Sequence, residues 1–354
     1  MSGYAPTAID DLVNTTLNRV KRDTWDDLSL STQYHIFSEY LLKGKTESIK
    51  SSPTQQWELQ IANNGNFKAT TLYGQDRTNV RNLIIKATQA WAIYTSNFTY
   101  DLREEAFQGD NLTRIVDLVK VRRHSMMVEA IDGLESHLWT APSSSALNPM
   151  TFSGFPFWLQ ASATEGFNGG NPSEWASGAA NVSTGTYANW KNWTFSYSLV
   201  NDLDYFAKCR KAMEWTNFRS PDPHPSTTAE KPQWMLYMDW DTKEQIERAL
   251  TARNDDVRDA AGVAYNKAKF NSTSLMWVPV FDDSTNDAYV TNYPTYGVNW
   301  SAFDLEFQEG FNFKVGSPGP TPVFDHNVRM VPMDIIMNLN CKNRRKAGFR
   351  AYRV

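Results

Sequence analysis

The sequence predicts an α+β fold, and three observations point to it. Residues on either side of Asn64-Gly65 alternate apolar and polar, which marks two strands around a tight turn. Between about residues 110 and 140, apolar residues recur at helical spacing, as in one very long helix. Near the other end, Val331, Met333, Ile335, Met337, Leu339 and Cys341 fall on one face at period two, the pattern of a strand with a buried side.

Taken in order, the first segment reads as a short amphipathic helix. Thr7 is its cap, Asp10 follows three residues later, and Ile9, Leu12, Val13, Thr16, Leu17 and Val20 keep helical spacing. A second helix starts near Ser31, carries Tyr34, Phe37, Tyr40 and Leu41 on one side, and ends at Gly44. Trp57, Leu59 and Ile61 then alternate with polar neighbours. Asn64-Gly65 supplies the positive φ that a type I′ turn needs, and Phe67, Ala69, Thr71 and Tyr73 alternate again. An isolated two-stranded hairpin is marginal in water, so this arm must lie on the body of the chain or on a neighbour.

From Leu83 to Tyr100 the β-formers Ile, Thr, Trp, Tyr and Phe predict a long strand or two joined strands, ended by the polar run Asp101 to Gln108. Asp110 or Asn111 caps the long helix. Its stripe is Leu112, Ile115, Val119, Met126, Ala130, Leu134 and Leu138, and it stops near Trp139, before Pro142. At ~1.5 Å per residue the helix is about 43 Å long. Arg114, Lys120, Arg122 and Arg123 crowd its first half, as a solvated face or as a contact surface for neighbours. Residues 142–190, rich in Pro, Gly, Ser, Asn and aromatics, read as loops and short strands. Helices are predicted at 199–216, 242–252 and 255–268, strands at 234–238 and 275–281, and a Pro-rich loop at 220–232. After the last apolar strand, Lys342, Arg344, Arg345, Lys346, Arg350 and Arg353 read as a basic tail.

Composition bounds the function. A chain of 354 residues with 41% hydrophobic and 21% charged residues has material for a large core. A net charge of −4 disfavours a dedicated nucleic-acid binder. The 13 Trp, 15 Tyr and 19 Phe suit either core or interface. Two distant cysteines, Cys209 and Cys341, make neither a disulfide scaffold nor a zinc site. The first residues show no secretory signal, and no segment reads as a membrane span.

Catalytic motifs are not found. Gly44-Lys45-Thr46 resembles the end of a phosphate-binding loop, but Glu39 stands where that loop needs its first glycine. There is no dinucleotide fingerprint and no nucleophile elbow. His35, His124, His137, His224 and His326 form no ligand pair, and His124 and His137 face away from each other on the long helix. The acidic pairs Asp239/Asp241, Asp202/Asp204, Glu104/Glu105 and Asp282/Asp283 have the residue type of a glycosidase but read as solvated groups beside turns. No cofactor and no metal is expected.

The order of elements carries a resemblance, as do several stretches. These are Asn14-Thr15-Thr16-Leu17-Asn18, Tyr100-Asp101-Leu102-Arg103-Glu104, Val116 through His124, Gly154-Phe155-Pro156-Phe157-Trp158, and Asn340-Cys341-Lys342-Asn343-Arg344-Arg345. Over nearly its whole length the chain resembles the major capsid proteins of tailed bacteriophages, of the Hong-Kong-ninety-seven type. The resemblance implies an N-terminal arm at 1–42 and an extended E-loop hairpin at 43–82. It implies a peripheral domain at 83–141 and 276–354, with its spine helix at 110–140, and an axial domain at 142–275. It implies a structural, non-enzymatic subunit, made in the host bacterial cytoplasm. Copies would assemble into pentamers and hexamers of an icosahedral virion shell around double-stranded DNA, without membrane contact.

Because the arm starts within the first ten residues, the resemblance implies a separate scaffolding protein, or none, with a portal as a further assembly partner. Expected inter-subunit contacts are Trp57, Leu59, Ile61, Asn64, Gly65, Phe67 and Tyr73. Expected basic contacts, to DNA phosphates or to acids of a neighbour, are Arg122, Arg123, Arg344 and Arg345. The alternative reading, from the aromatics and Asn-rich loops, is a carbohydrate-binding phage tail or cell-wall module.

Overall fold

The computed structural model describes residues 36–37, 46–50, 52–63, 65–74, 82–101, 103, 112–142, 151–217, 233–251, 269–271, 273–282, 293–320 and 328–354. Of residues 112–120, 250–251 and 319–320 only the backbone is described. The predicted N-terminal helices (apart from Ile36 and Phe37), Gly44, Asn64, the Asp110/Asn111 cap, the 220–232 loop and the 255–268 helix lie outside the described residues.

Two sheets and a hairpin organise the chain. The first sheet is built on β13 (Val328–Cys341), a strand of 14 residues. One side of β13 pairs antiparallel with β4 (Ala92–Asp101) over its full length. The other side takes β10 (Phe303–Gln308), β11 (Lys314–Val315) and β12 (Gly319–Pro320), and β1 (Thr46–Ile49) adds in parallel beyond β10. The predicted alternation is met: Met333, Ile335, Met337, Leu339 and Cys341 are all buried, on one face. Past Met337 the opposite face is buried as well, so Asn338 and Asn340 are enclosed polar residues.

The long helix is α1 (Leu112–Leu138), 27 residues and about 40 Å. It lies along β4, with Met126, Leu134 and Leu138 buried and Ala130 packed against the core. The chain leaves α1 through Trp139, Thr140 and Ala141 to Pro142, and returns in Phe155–Trp158, a four-residue helical turn with proline in its first turn. Gly154 starts that turn pressed against the end of α1. A Cβ there would sit 2.2 Å from the Leu138 carbonyl oxygen, so only glycine allows the close approach. Trp139 is the hub of an aromatic core, in ring contact with Phe155, Tyr237, Phe281 and Tyr296 at centroid distances of 4.9 to 5.8 Å.

The second sheet runs in the order β5 (Trp193–Tyr197), β14 (Gly348–Arg353), β9 (Thr295–Asn299), β6 (Trp234–Met238), β8 (Thr273–Trp277) and β7 (Lys269–Phe270). Helices α2 (Ala207–Thr216) and α3 (Trp240–Thr251) pack against it. The strand expected at 275–281 splits into β8 and a 3₁₀ turn at Pro279–Phe281, where the proline cannot donate to a ladder. β13 lies in the first sheet, whereas β9 and β14 belong to the second, because Gly348–Ala351 pair with Thr295–Val298 and Phe349–Arg353 pair with Trp193–Tyr197.

Candidate inter-subunit contact surface

The hairpin consists of β2 (Gln55–Gln60) and β3 (Ile84–Gln89), antiparallel from Gln55↔Gln89 to Gln60↔Ile84, with a last backbone bond from Ile61 N to Leu83 O. This corrects the predicted pairing. Phe67, Ala69, Thr71 and Tyr73 form no strand and β2 takes β3 as its partner instead, although Gly65 does adopt φ 73°. Period two does not name a partner. The stretch Ile84-Ile85-Lys86-Ala87 wins because pairing it with β2 buries Ala87 and packs Trp57, Leu59 and Ile85 on the core, which the Phe67–Tyr73 stretch does not do.

The hairpin therefore has two regions. Its root rests on the chain's own body: Trp57 meets Trp158 at 6.3 Å between ring centroids, and Trp91 Nε1 donates to Ser52 O at 2.9 Å. Along residues 65–74 the chain leaves the body. Phe67 is 104% exposed, Leu72 86% and Tyr73 98%, and Gly65 is exposed beside them. Ile61 is half-buried at the junction. Three large apolar side chains are thus held in water, each worth about 1.5–3 kcal/mol if covered.

Of the expected basic contacts, Arg122 Nη1 donates to Thr99 O at 3.0 Å and ties α1 to the edge of β4. Arg123 is exposed on the next position of α1. Arg344 is not a surface group at all. It is 0% exposed, its Nε donates to Trp158 O, and one Nη donates to Gly170 O and Asn192 Oδ1. Burial lowers its pKa to about 10. Arg345 is half-buried, lies over the Phe167 ring at 3.9 Å and donates to Asn189. Lys342 pairs with Asp304, and Arg353 pairs with Asp241 at 3.4 Å. The expected basic tail is thus a folded segment whose cations are spent on internal contacts, since a turn at Asn343 carries it into the second sheet.

Of the acidic pairs, Glu104/Glu105 and Asp283 lie outside the described residues, and several of the others have structural work. Asp239 Oδ2 accepts from Thr242 N at 3.0 Å and caps α3, while burial raises its pKa. Asp204 accepts from Ser198 N, Leu199 N and Lys208. Asp282 accepts from Trp240 N and Trp277 Nε1. Among the described residues, no group of three or more His, Cys, Asp or Glu side chains is placed to hold a metal ion, and no helix is long and apolar enough to cross a membrane. Cys209 and Cys341 are buried and free, and burial raises both thiol pKa values.

Sequence reasoning missed one group here, the glutamines and Asn338 at the hairpin root. Gln55 and Gln89 differ in no local way from surface glutamines, and their burial follows only from long-range pairing.

No protein-family model matches the sequence, and comparison with curated proteins gives no match. Solved structures do match. The chain is similar to one in the capsid asymmetric unit of cyanophage A-1(L), with TM-score 0.63 and 12% identity over 96% of this chain and 98% of that one. It is similar to the capsid of the native GTA particle, with TM-score 0.54 and 7% identity over 94% of each chain. A third match is the mature capsid of bacteriophage PhiM1, with TM-score 0.50 and 8% identity over 94% of this chain and 91% of that one. Two sheets, the long helix and the projecting hairpin thus make up, end to end, the α+β fold of bacteriophage capsid subunits.

Proposed function

We propose that this chain is a shell-building subunit of a phage head, one that self-assembles into pentamers and hexamers around double-stranded DNA and resides in the virion. The observation that carries the reading is the hairpin tip. A chain with the capsid fold holds Phe67, Leu72 and Tyr73 exposed and away from the described core, open to a neighbouring molecule. A shell subunit gains from many modest contacts of this kind, because each closed contact raises the effective concentration for the next.

On this reading the E-loop, expected at 43–82, is the hairpin from β2 through β3, with β1 left in the first sheet, and α1 is the spine helix. The first sheet belongs to the peripheral domain and the second to the axial domain, with β9 and β14 now included. The role is structural rather than catalytic, and Asp239, Asp204 and Asp241, from the pairs that motivated a glycosidase, are used in a cap and ion pairs. A scaffolding protein and a portal are the proposed assembly partners. DNA contact is weak and non-specific, as a net charge of −4 requires, and Arg123 is the better candidate for it than the enclosed Arg344. Nothing in the structure favours the carbohydrate-binding alternative.

The test is electron microscopy of the purified chain beside the double variant Phe67→Ser, Tyr73→Ser. Hollow particles from the parent and none from the variant, with both folded by circular dichroism, are expected. A parent that stays a monomer under all assembly conditions overturns the proposal.

A further inference from the structure

The root of the hairpin is held by polar groups rather than by packing alone. Gln55 and Gln89 stand directly opposite each other in the β2–β3 ladder, 0% and 3% exposed. Gln55 Nε2 donates to Asn338 O at 3.2 Å, and Gln89 Nε2 donates to Ser153 Oγ at 2.5 Å. Ser153 N in turn donates to Asn338 Oδ1 at 2.9 Å. Asn338 Nδ2 donates to Ala90 O at 2.9 Å, in the link between β3 and β4. Ser153 and Asn338 are both 0% exposed. Asn338 of the central strand β13 thus holds β2 through its backbone carbonyl and the link behind the hairpin through its side chain, while β3 reaches it by way of Ser153.

Hydrogen bonds of this kind are directional, whereas apolar surfaces slide on one another at small cost. Among the described residues Gln55 Oε1 and Gln89 Oε1 are buried without a hydrogen-bond partner, a cost of about 1–3 kcal/mol each. What it supplies is an angle. Strands of six residues at about 3.3 Å per residue carry the tip roughly 20 Å from the root, so a tilt of about 10° at the root moves the tip by about 3.5 Å. That shift is enough to change which atoms of a neighbour the tip meets.

We propose that Gln55, Gln89, Ser153 and Asn338 form a positioning clamp that sets the angle at which the hairpin leaves the subunit, and through it the curvature with which copies join. The inference rests on the shell-subunit reading, and the experiment has two arms so that the two fail separately.

The first arm reads the clamp in unassembled subunits. Spin labels at Glu58→Cys on the hairpin and Glu129→Cys on α1 report the distance distribution, and the buried Cys209 and Cys341 stay unlabelled. The distribution is expected to be narrow in the parent background and broadened at least twofold by Gln89→Leu or by Asn338→Leu. Using two clamp variants guards against one that does not fold. Equal widths in parent and variants overturn the clamp whether or not shells form.

The second arm reads curvature as particle diameter. The parent is expected to give one diameter and Asn338→Leu a mixture of diameters or open sheets. Leu339→Ala, comparably destabilised on the other face of β13, is expected to keep the parent diameter. A single parent-like diameter from Asn338→Leu, or the same mixture from Leu339→Ala, overturns the link to curvature. Absence of particles from the parent overturns the shell-subunit reading itself, and with it that link.

Discussion

Arg344 takes a positive charge into the interior with only neutral acceptors around it: the carbonyls of Trp158 and Gly170 and the amide oxygen of Asn192. It ties three loop segments of the central region to the start of the final strand. Removing it leaves those acceptors enclosed and unmatched, so Arg344→Met should lower unfolding free energy by about 2–5 kcal/mol in denaturant titration. The exposed Arg123→Met should change it by less than about 0.5 kcal/mol.

Glu135 is a second residue with a measurable signature. Its carboxylate accepts from Phe37 N at 2.6 Å and from Trp139 Nε1 at 3.1 Å, and burial raises its pKa from the ordinary 4.5 to about 7. A raised acid favours the protonated folded state. Its contribution to stability is therefore complete below about pH 4.5 and is lost as pH climbs to about 7, a fall on the order of 3 kcal/mol. In Glu135→Gln that slope should be missing, so the difference between parent and variant stability should narrow or reverse with rising pH. Parallel curves over pH 4 to 8 would contradict it.

Among the elements, β13 and α1 were legible in the sequence because each satisfies one strong periodicity over many residues, and burial follows it: Met333 to Cys341 at every second position, Met126 to Leu138 at helical intervals. The hairpin was legible in its first strand and misread in its second. Two stretches of period two competed for β2, and the deciding factor, which of them can also rest on Trp158 and its surroundings, lies a hundred residues away. The basic stretch after Cys341 misled for a similar reason. Charge density suggests solvent, while the turn at Asn343 that leads it inside is visible only with its carbonyl acceptors in place.

The turn at Gly154 belongs to this scale too. Its approach to the Leu138, Thr140 and His137 carbonyls leaves no room for a methyl group, so Gly154→Ala should cost at least about 2–3 kcal/mol by thermal or denaturant unfolding. Gly133 of α1, where an added Cβ meets nothing within 4 Å, should be stabilised by the same change by about 0.5–1 kcal/mol.

For the molecule as a whole, the contrast between a bolted hairpin root and an uncovered tip makes a specific demand. Before assembly the chain should fold as a monomer, with tip substitutions silent in its unfolding curve and visible only when particles form. Phe67→Ser, Tyr73→Ser should leave the denaturation midpoint within experimental error, because neither side chain touches the body. A large loss of monomer stability would mean that the tip has an intramolecular partner.

The position of β14 has a further consequence. It is an interior strand, flanked by β5 in parallel and β9 in the opposite sense, and its partner Trp193–Tyr197 precedes it by some 150 residues. During translation the second sheet stays open along its middle until residue 353 has left the ribosome. Prematurely terminated products, lacking that wedge, keep two raw β-edges and are prone to aggregate. A polypeptide broken off before Gly348 lacks the strand that joins β5 to β9, so the second sheet is whole only once synthesis has passed it.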